Sequence, residues 1–350
     1  MDPKIPSGVM PLLYVFCTLF AACLGSFSNV VIYRVPNHLS IAWPPSTCPK
    51  CNQRIKPYDN IPILSWLILR GKCRNCKNPI SPQYVIVETI CALFGFFLCR
   101  QIFEPNLAVL MHDGVFWRLM VLFAGLCIFL VGSLALAIID YKTTELPPEV
   151  ALPIGAIGIL VAFVLPDTWP YTTILGNIDW LDSILGAIIG GGLVVLIIAL
   201  YYLVTKRIGM GGGDVWMMAM VGAFLGWQCL PFIFLAASVQ GIIAAVIGIA
   251  LGKKQQTDSQ SGLFRNQVAD EVQAEIDADK KSPETNESSE TADSTDESSP
   301  SEEDISTGKL AVPFGPFIAL AAIEYVFFGQ YLLPLISGNM LTPWGLMNFY

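Results

Sequence analysis

Eight apolar runs of roughly 20 residues dominate this 350-residue sequence. A run of that length crosses the hydrocarbon core of a bilayer, about 30 Å thick, as a single α-helix. Backbone exposed to lipid must satisfy its own hydrogen bonds, so helices are expected rather than open strands. The sequence therefore predicts an all-α polytopic membrane protein with about eight transmembrane helices, near residues 9–33, 84–103, 115–139, 150–166, 181–204, 215–230, 231–251 and 310–333.

Lysine and arginine set the expected orientation of these helices, because cytoplasmic loops are enriched in both residues. If the N-terminus lies outside, the inner segments hold 17 of the 20 basic residues; these segments are 34–83, 140–149, 205–214 and 252–309. We therefore expect an N-terminus outside the cytoplasm and a cytoplasmic loop over residues 34–83.

Residues 1–25 have a second interpretation, as a cleaved signal peptide with a lipoprotein-like site at Cys23. However, Lys4 is the only basic residue before the apolar run and is offset by Asp2, whereas eight basic residues follow the run. This order of charges favours an uncleaved first helix that holds the following loop inside.

Residues 253–308 differ from the rest of the chain in composition. Fifteen of the 28 acidic residues lie between Asp258 and Asp304, among serines and threonines and with almost no aromatic residues. Such a segment cannot bury enough apolar surface to offset the entropy of ordering it. The sequence predicts an acidic disordered cytoplasmic insert, which carries most of the net charge of −8. Nothing in the sequence indicates nucleic-acid binding.

Four of the ten cysteines form a pattern, "CPKC" at 48–51 and "CRNC" at 73–76. Two close thiolate pairs can complete a tetrahedral Zn²⁺ site, and four protein ligands without an open position are typical of a structural site. Two disulfides or four unengaged thiols are the alternatives, and disulfides are disfavoured in a reducing cytoplasm. We expect one structural Zn²⁺ held by Cys48, Cys51, Cys73 and Cys76.

Carboxylates in or beside lipid-embedded helices cost several kcal/mol unless they are paired, so each is a functional candidate. Glu88 and Glu324 lie within apolar runs, whereas Asp140 and Asp214 flank two of them. The expected topology brings Asp140 and Asp214 to the cytoplasmic membrane edge. Two carboxylates held close together share a proton, so one can act as base and the other as acid in activating water against a peptide bond.

Each aspartate also has a structural interpretation. Asp214 follows "GMGGG" and precedes a helix, where aspartate is a good N-cap, and Asp140 precedes a proline-rich turn at the interface. The glycines would let a substrate backbone approach closely. They do not form a phosphate-binding loop, since no Gly-Lys-Ser/Thr follows, nor a dinucleotide fingerprint, since no strand precedes them.

Several long motifs together resemble the prepilin peptidases (type IV prepilin leader peptidases) of bacterial pilus and type II secretion systems. The resemblance spans nearly the whole chain outside the insert. Its motifs are "GSFSNVVIYRVP", "CPKC", "DNIPILSWLILRGKCRNC", "PISPQYVIVE", "GGGDVWMMAMVGAFLGW" and "VPFGPFIALAA".

The resemblance implies an enzyme of the bacterial inner membrane, active at the cytoplasmic face, that acts on prepilin-like precursors. It cleaves their basic leader after a glycine and then N-methylates the new N-terminus with S-adenosylmethionine. By motif, the catalytic aspartates are Asp140 and Asp214, and the four cysteines form the zinc set. Glu88 matches a family glutamate without an assigned role. The chain departs from the family pattern at Trp216, Pro148 and Gln83, where a lysine, an acidic residue and an arginine are usual.

The expected organisation is a first transmembrane helix over 1–33, the zinc loop over 34–83, helices two to seven with the aspartates over 84–252, the insert over 253–308, and a last helix with a tail over 309–350. Two other functions stay open from the sequence. One is a GxGD protease acting on general transmembrane segments. The other is a proton-coupled transporter that uses Glu88 and Glu324.

Overall fold

The computed structural model describes residues 8–43, 45–48, 50–107, 114–165, 179–206, 211–250 and 313–337. Over these residues the chain forms nine α-helices: α1 Val9–Arg34, α2 Leu64–Ile68, α3 Gln83–Phe103, α4 Val115–Thr143, α5 Pro148–Val164, α6 Trp180–Thr205, α7 Gly213–Leu225, α8 Leu230–Ala250 and α9 Gly315–Ser337. Two 3-10 turns and two isolated β-bridges complete the regular structure of the described part.

The chain divides into two compact units, one of Met1–Ile243 with Pro313–Tyr350 and one of Ala244–Val312. Of the second unit, only the end of α8 is described. The predicted acidic insert, 253–308, lies outside the described residues.

Within the described residues, five helices are long and apolar enough to cross a membrane: Val9–Arg34, Gln83–Phe103, Val115–Thr143, Trp180–Thr205 and Trp227–Gly248. Three shorter apolar helices accompany them, Pro148–Val164, Gly213–Leu225 and Gly315–Gly329. The prediction of an all-helical, multi-pass membrane protein is thus confirmed at this level, and each predicted apolar run corresponds to one of these helices.

One predicted boundary is displaced. The sequence suggests a break at Pro231 between the sixth and seventh runs, whereas α7 ends at Leu225. Gly226 turns the chain there with a φ of 75°, a conformation that glycine adopts without steric cost. Pro231 lies in the first turn of α8, where a missing backbone N–H leaves no intrahelical bond unmade.

Helix α4 forms the centre of the described unit. It contacts α1, α3, α5 and α9, and its buried residues include Phe123, Phe129 and Leu130. The short helix α7 is also largely buried and contacts α5, α6 and α9. Lipid solvates apolar side chains as well as protein does, so close packing rather than water exclusion must hold such helices together.

Small residues provide that close packing at two helix pairs. A side chain on Gly95 of α3 would collide with the backbone carbonyl of Cys17 on α1. Gly186 of α6 and Gly222 of α7 likewise face each other so closely that neither position has room for a Cβ. Helices α1 with α3 and α6 with α7 therefore pack backbone against backbone, as small-residue motifs allow in membranes.

Two stacked aromatic rings mark a point where α4 and α7 lie side by side. The rings of Phe129 and Phe224 stack with their centroids 4.7 Å apart. Asp140 follows Phe129 by eleven residues, and Asp214 precedes Phe224 by ten. At about 1.5 Å of rise per residue, each aspartate lies about 15–17 Å along its helix from that contact. Asp140 and Asp214 also interact electrostatically, so the two helices run in opposite directions and both carboxylates lie at the same end of the bundle.

Candidate active site and metal centre

Asp140 lies in the last turn of α4 and is only 5% exposed. Its Oδ2 accepts a hydrogen bond of 2.9 Å from the backbone N–H of Gly315, the first residue of α9. The side chain of Asp140 therefore lies at the positive end of the α9 dipole, where a carboxylate is favourable. Left-handed backbone at Thr144, with φ of 56°, ends α4 just beyond the aspartate.

Asp214 lies in the first turn of α7 and is only 6% exposed. The N-cap residue of that helix is Gly212, and the helix has no side-chain cap hydrogen bond. The alternative in which Asp214 serves as the N-cap is therefore wrong. Its carboxyl group is instead close enough to Asp140 for the two to interact electrostatically.

Leu146 and two glycines join the two aspartates into one site. A Cβ on Gly213 would lie 2.5 Å from the Cβ of Leu146, and a Cβ on Gly315 would lie 2.5 Å from Asp140 Oδ2 and 3.1 Å from Leu146 Cδ1. Leu146 is thus packed between the residue before Asp214 and the residue that binds Asp140. Substitution at either glycine must move a neighbour.

Sequence reasoning did not identify Gly315 or Leu146 as site residues. A glycine between prolines at the start of an apolar helix, "PFGPF", was the available signal for Gly315. The sequence predicted a close approach of a substrate backbone to the glycines before Asp214. A close approach does occur at Gly213, but the neighbour is Leu146 of the same chain. Among the described residues, nothing lies within 4 Å of the position that a Cβ would take on Gly211 or Gly212.

This arrangement can perform acid–base chemistry on water. Two buried carboxyl groups that interact electrostatically do not ionise together readily, so one can serve as a base while the other serves as an acid. Such a pair holds both a base and an acid at one place without a metal ion or a nucleophilic side chain.

Glu88 lies outside this pair and holds the loop between α1 and α3. The side chain, 7% exposed, accepts a 2.7 Å hydrogen bond at Oε2 from the backbone N–H of Ile63. Ile63 has a φ of 63°, which is rare for a β-branched residue. The Glu88 carboxylate therefore helps to hold a strained turn at the start of α2.

Glu324 is engaged by a second polar side chain. Gln240 of α8 donates a 2.7 Å hydrogen bond from Nε2 to Glu324 Oε2 on α9. A carboxylate and an amide paired in this way link two helices within an apolar region. Both glutamates that suggested a proton-relay transporter thus have protein hydrogen-bond partners.

The four loop cysteines form one cluster. Their sulfur atoms all lie within 4.8 Å of one another, and Cys48 Sγ lies 3.8 Å from Cys76 Sγ. Tetrahedral Zn²⁺ with Zn–S bonds of about 2.3 Å requires sulfur–sulfur distances near 3.8 Å. Sulfurs gathered at one point fit a shared metal ion better than two separate disulfides. The predicted residue set is therefore brought together as a candidate metal site.

Each cysteine pair lies in a tight turn of the same design. The N–H of Cys48 donates to the carbonyl of Gln53, and that of Asn52 donates back to Cys48. In the second turn, the N–H of Cys73 donates to the carbonyl of Asn78, and the N–H of Lys77 donates to the carbonyl of Cys73. Asn52 and Lys77 both have positive φ. The two turns thus present their sulfurs in the same way.

Backbone amides prepare two of these thiols for metal binding. Hydrogen bonds from the N–H groups of Cys76 and Asn75 lower the pKa of Cys73 to about 7. The backbone N–H of Gln53 lowers the pKa of Cys51 below its ordinary value. Because the thiolate is the metal ligand, these bonds favour the binding form.

Two of the three departures from the family pattern have a structural context. Gln83 begins α3, and its Oε1 accepts a 2.6 Å hydrogen bond from Lys142 Nζ, two residues beyond Asp140. An arginine at position 83 would face this lysine and repel it. Pro148 begins α5, a position that suits proline. Nothing in the structure explains Trp216.

The cavity between α6 and α8 is not a suitable binding site for the expected methyl donor. This cavity of about 400 Å³ is lined by apolar side chains such as Ile189, Leu230 and Phe234, together with Ser238. S-adenosylmethionine carries a sulfonium, an amino acid group and a nucleoside, all of which require polar partners. The residues of this cavity do not fit that molecule.

Two family models match the chain. The bacterial peptidase A24 N-terminal domain matches residues 19–102, which include the cysteine cluster and Glu88. The type IV leader peptidase family matches residues 127–246, which include both aspartates. No solved structure matches the chain.

Curated relatives cover most of the chain under one name, prepilin leader peptidase/N-methyltransferase. The protein of Stutzerimonas stutzeri is 34% identical over 71% of this chain and 85% of its own length. That of Pseudomonas aeruginosa is 32% identical over 69% and 83%, and that of Aeromonas hydrophila is 31% identical over 71% and 84%. The family expected from the motifs is thus confirmed, and this chain belongs to the peptidase A24 family of prepilin leader peptidases/N-methyltransferases.

Proposed function

We propose that this chain is a bifunctional membrane enzyme acting on type IV prepilin-like precursors. It cleaves the leader peptide after a glycine and N-methylates the new N-terminus. The observation that carries this function is the convergence of buried Asp140 and Asp214 at one end of the helical bundle. The names of its relatives supply the substrate class and the second activity.

Asp140 and Asp214 act together in cleavage. One carboxylate takes a proton from a water molecule as its oxygen bonds to the scissile carbonyl carbon. The other, protonated, gives its proton to the departing nitrogen as the carbon–nitrogen bond breaks. The products are the carboxylate of the leader and the free amine of the mature chain. The Gly315 N–H orients Asp140 throughout, because it binds Oδ2 directly.

The tetracysteine cluster of Cys48, Cys51, Cys73 and Cys76 holds one Zn²⁺ in a structural role. Four thiolates fill a tetrahedral site and leave no position for water, so this metal takes no part in hydrolysis. Its contribution is to the folding of a loop that has little apolar core of its own.

The methyl donor is S-adenosylmethionine, an assignment that rests on the family. When bound, it would supply a methyl group to the amine that cleavage creates, leaving S-adenosylhomocysteine and releasing the proton of the amine. No residue of this chain is assigned to its binding.

The chain crosses the bacterial inner membrane eight times with its N-terminus outside. The distribution of basic residues supports this topology, and it puts both the aspartates and the zinc loop at the cytoplasmic face. The segment 253–308 is then a cytoplasmic insert before the last helix.

Purified protein in lipid nanodiscs, incubated with a prepilin-like peptide, tests the proposal by mass spectrometry. We expect a cut after the glycine and, on addition of S-adenosylmethionine, a methyl group on the new N-terminus. A transmembrane peptide without a leader serves as the control. Cleavage of both peptides would indicate a general intramembrane protease, and cleavage of neither would defeat the proposal.

A further inference from the structure

The short helix α2 carries an apolar face that no part of the described chain covers. Leu64, Leu67 and Ile68 are 53%, 54% and 72% exposed. Their spacing of i, i+3 and i+4 places them on one side of the helix. Three large apolar side chains on one side of a five-residue helix make an exposed patch that needs an explanation.

The opposite side of α2 is anchored to the loop. Ser65 Oγ donates to the carbonyl of Tyr58 and accepts the N–H of Ile61, at 3.2 Å and 2.9 Å. Trp66 packs against Gly71 and donates from Nε1 to the carbonyl of Ile80. The helix therefore cannot roll to bury its apolar face within the loop.

Glu88 fixes the depth of α2. The bond from Ile63 N–H to Glu88 Oε2 joins the residue before α2 to the second turn of α3. Glu88 lies five residues beyond the start of α3, about 7 Å along its axis. The start of α2 is thus held beside the membrane-spanning helix α3, at the level of its second turn rather than at its first residue.

Charge around α2 complements an anionic surface. The loop 34–83 contains eight basic residues and a single acidic one, Asp59. Asp59 is already paired with Arg74, whose Nε donates to it at 2.7 Å. Arg70 and Lys72 follow α2 directly and are exposed. Basic side chains beside an apolar face are typical of segments that lie in the headgroup region of a membrane.

We propose that α2 is a membrane-inserted interfacial helix, with Leu64, Leu67 and Ile68 among the acyl chains of the cytoplasmic leaflet and Arg70 and Lys72 among anionic phospholipid headgroups. Glu88 is the positioning residue that sets its depth. The tetracysteine loop is thereby held against the bilayer at α2 as well as at its two ends, where it continues into α1 and α3. This inference does not depend on the enzymatic function.

Photo-crosslinking tests the contact with lipid. The full chain carrying a benzophenone amino acid at position 68 is placed in nanodiscs of phosphatidylglycerol and phosphatidylethanolamine. We expect lipid adducts about tenfold more abundant than with the same label at position 53. Gln53 is the matched control because it is exposed in the same loop but lies in the first cysteine turn. Equal labelling, or adducts at position 68 to protein instead of lipid, would overturn the proposal.

Two further comparisons test its parts. Glu88→Gln keeps an oxygen that can accept the Ile63 N–H and should retain the adducts, whereas Glu88→Ala should reduce them about fivefold or more, since the Ile63 N–H loses its acceptor. Bound metal measured in each variant shows that the loop is folded.

Nanodiscs of phosphatidylcholine alone should lower the adduct yield about threefold or more, because the headgroup attraction is lost. Unchanged yields in Glu88→Ala would refute the positioning role, and unchanged yields in phosphatidylcholine would refute the role of anionic lipid.

Discussion

At the scale of single residues, the candidate site depends on backbone as much as on side chains. Asp140 is held by the N–H of Gly315, which lies 175 residues away in the sequence. A hydrogen bond from an amide to a charged group contributes about 1.5–3 kcal/mol, enough to fix the carboxylate in one orientation. Asp214 is fixed differently, by its place in the first turn of a buried helix.

Replacing either aspartate by asparagine should abolish most cleavage. Asparagine is isosteric but can serve neither as base nor as acid, so we expect a loss of about 10²–10⁴-fold in turnover for Asp140→Asn and for Asp214→Asn. The double variant should be little worse than either single one, since the two groups act as a unit. Peptide cleavage measured by mass spectrometry checks this.

Methylation of an already cleaved peptide is the control for these variants, because it requires no attack on a peptide bond and should persist. An Asp214→Asn enzyme that cleaves at near the wild-type rate would remove this residue from the mechanism.

Gly315→Ala tests the backbone contact to Asp140. The added Cβ would lie 2.5 Å from Oδ2, so the carboxylate must move from its position. We expect cleavage to fall by about tenfold or more, since small displacements of a reacting group are costly. Gly192→Ala is the matched control, because no residue that the structure describes lies within 4 Å of a Cβ there. Equal activity of the two variants would contradict the role given to Gly315.

At the scale of elements, the loop between α1 and α3 is organised by two equivalent turns that meet at their sulfurs. Each turn is short, and its backbone bonds are local. The sulfur atoms of both turns meet at one point, and Asn75 of the second turn also bonds to Cys51 of the first, so a metal ion bound there would join the two turns.

One Zn²⁺ per chain should therefore be found by elemental analysis of the purified protein. Cys48→Ser combined with Cys51→Ser should lose the metal and expose residues 45–80 to protease, because two of the four ligands are gone. Cys23→Ser is the control, since that cysteine is exposed on α1 and lies outside the cluster. If the purified natural chain contained almost no metal, and the double variant resisted protease as well as the natural chain does, the zinc site would be contradicted.

At the scale of the whole molecule, the helices and the segment 253–308 are expected to be separable. Joining Gly252 to Lys309 by a short flexible linker should preserve cleavage, because both aspartates and the residues that position them lie outside this segment. In membrane vesicles, protease should cut the natural chain first in this segment, and only in inside-out vesicles. Cutting from the other side would overturn the proposed orientation.

The class of this protein follows from local patterns in its sequence. Apolar runs predicted the helices, since the thickness of a bilayer sets their length. The spacing of Cys48, Cys51, Cys73 and Cys76 predicted a cluster that the fold does form, because both turns are local and end at the same point. The motifs identified the family. Each of these signals is carried by residues near one another in the chain.

The assembly of the site depends on contacts between distant parts of the chain. No local pattern relates Asp140 to Gly315, or Leu146 to Gly213, because those contacts arise from the packing of α4, α7, α9 and the α4–α5 connection, which are far apart in sequence. The N-cap alternative for Asp214 failed because the helix begins at Gly213, with Gly212 as its cap. The sequence does not predict the bond from Ile63 to Glu88 either. A positive φ at an isoleucine contradicts local preference, and it persists only because a partner distant in sequence holds the turn.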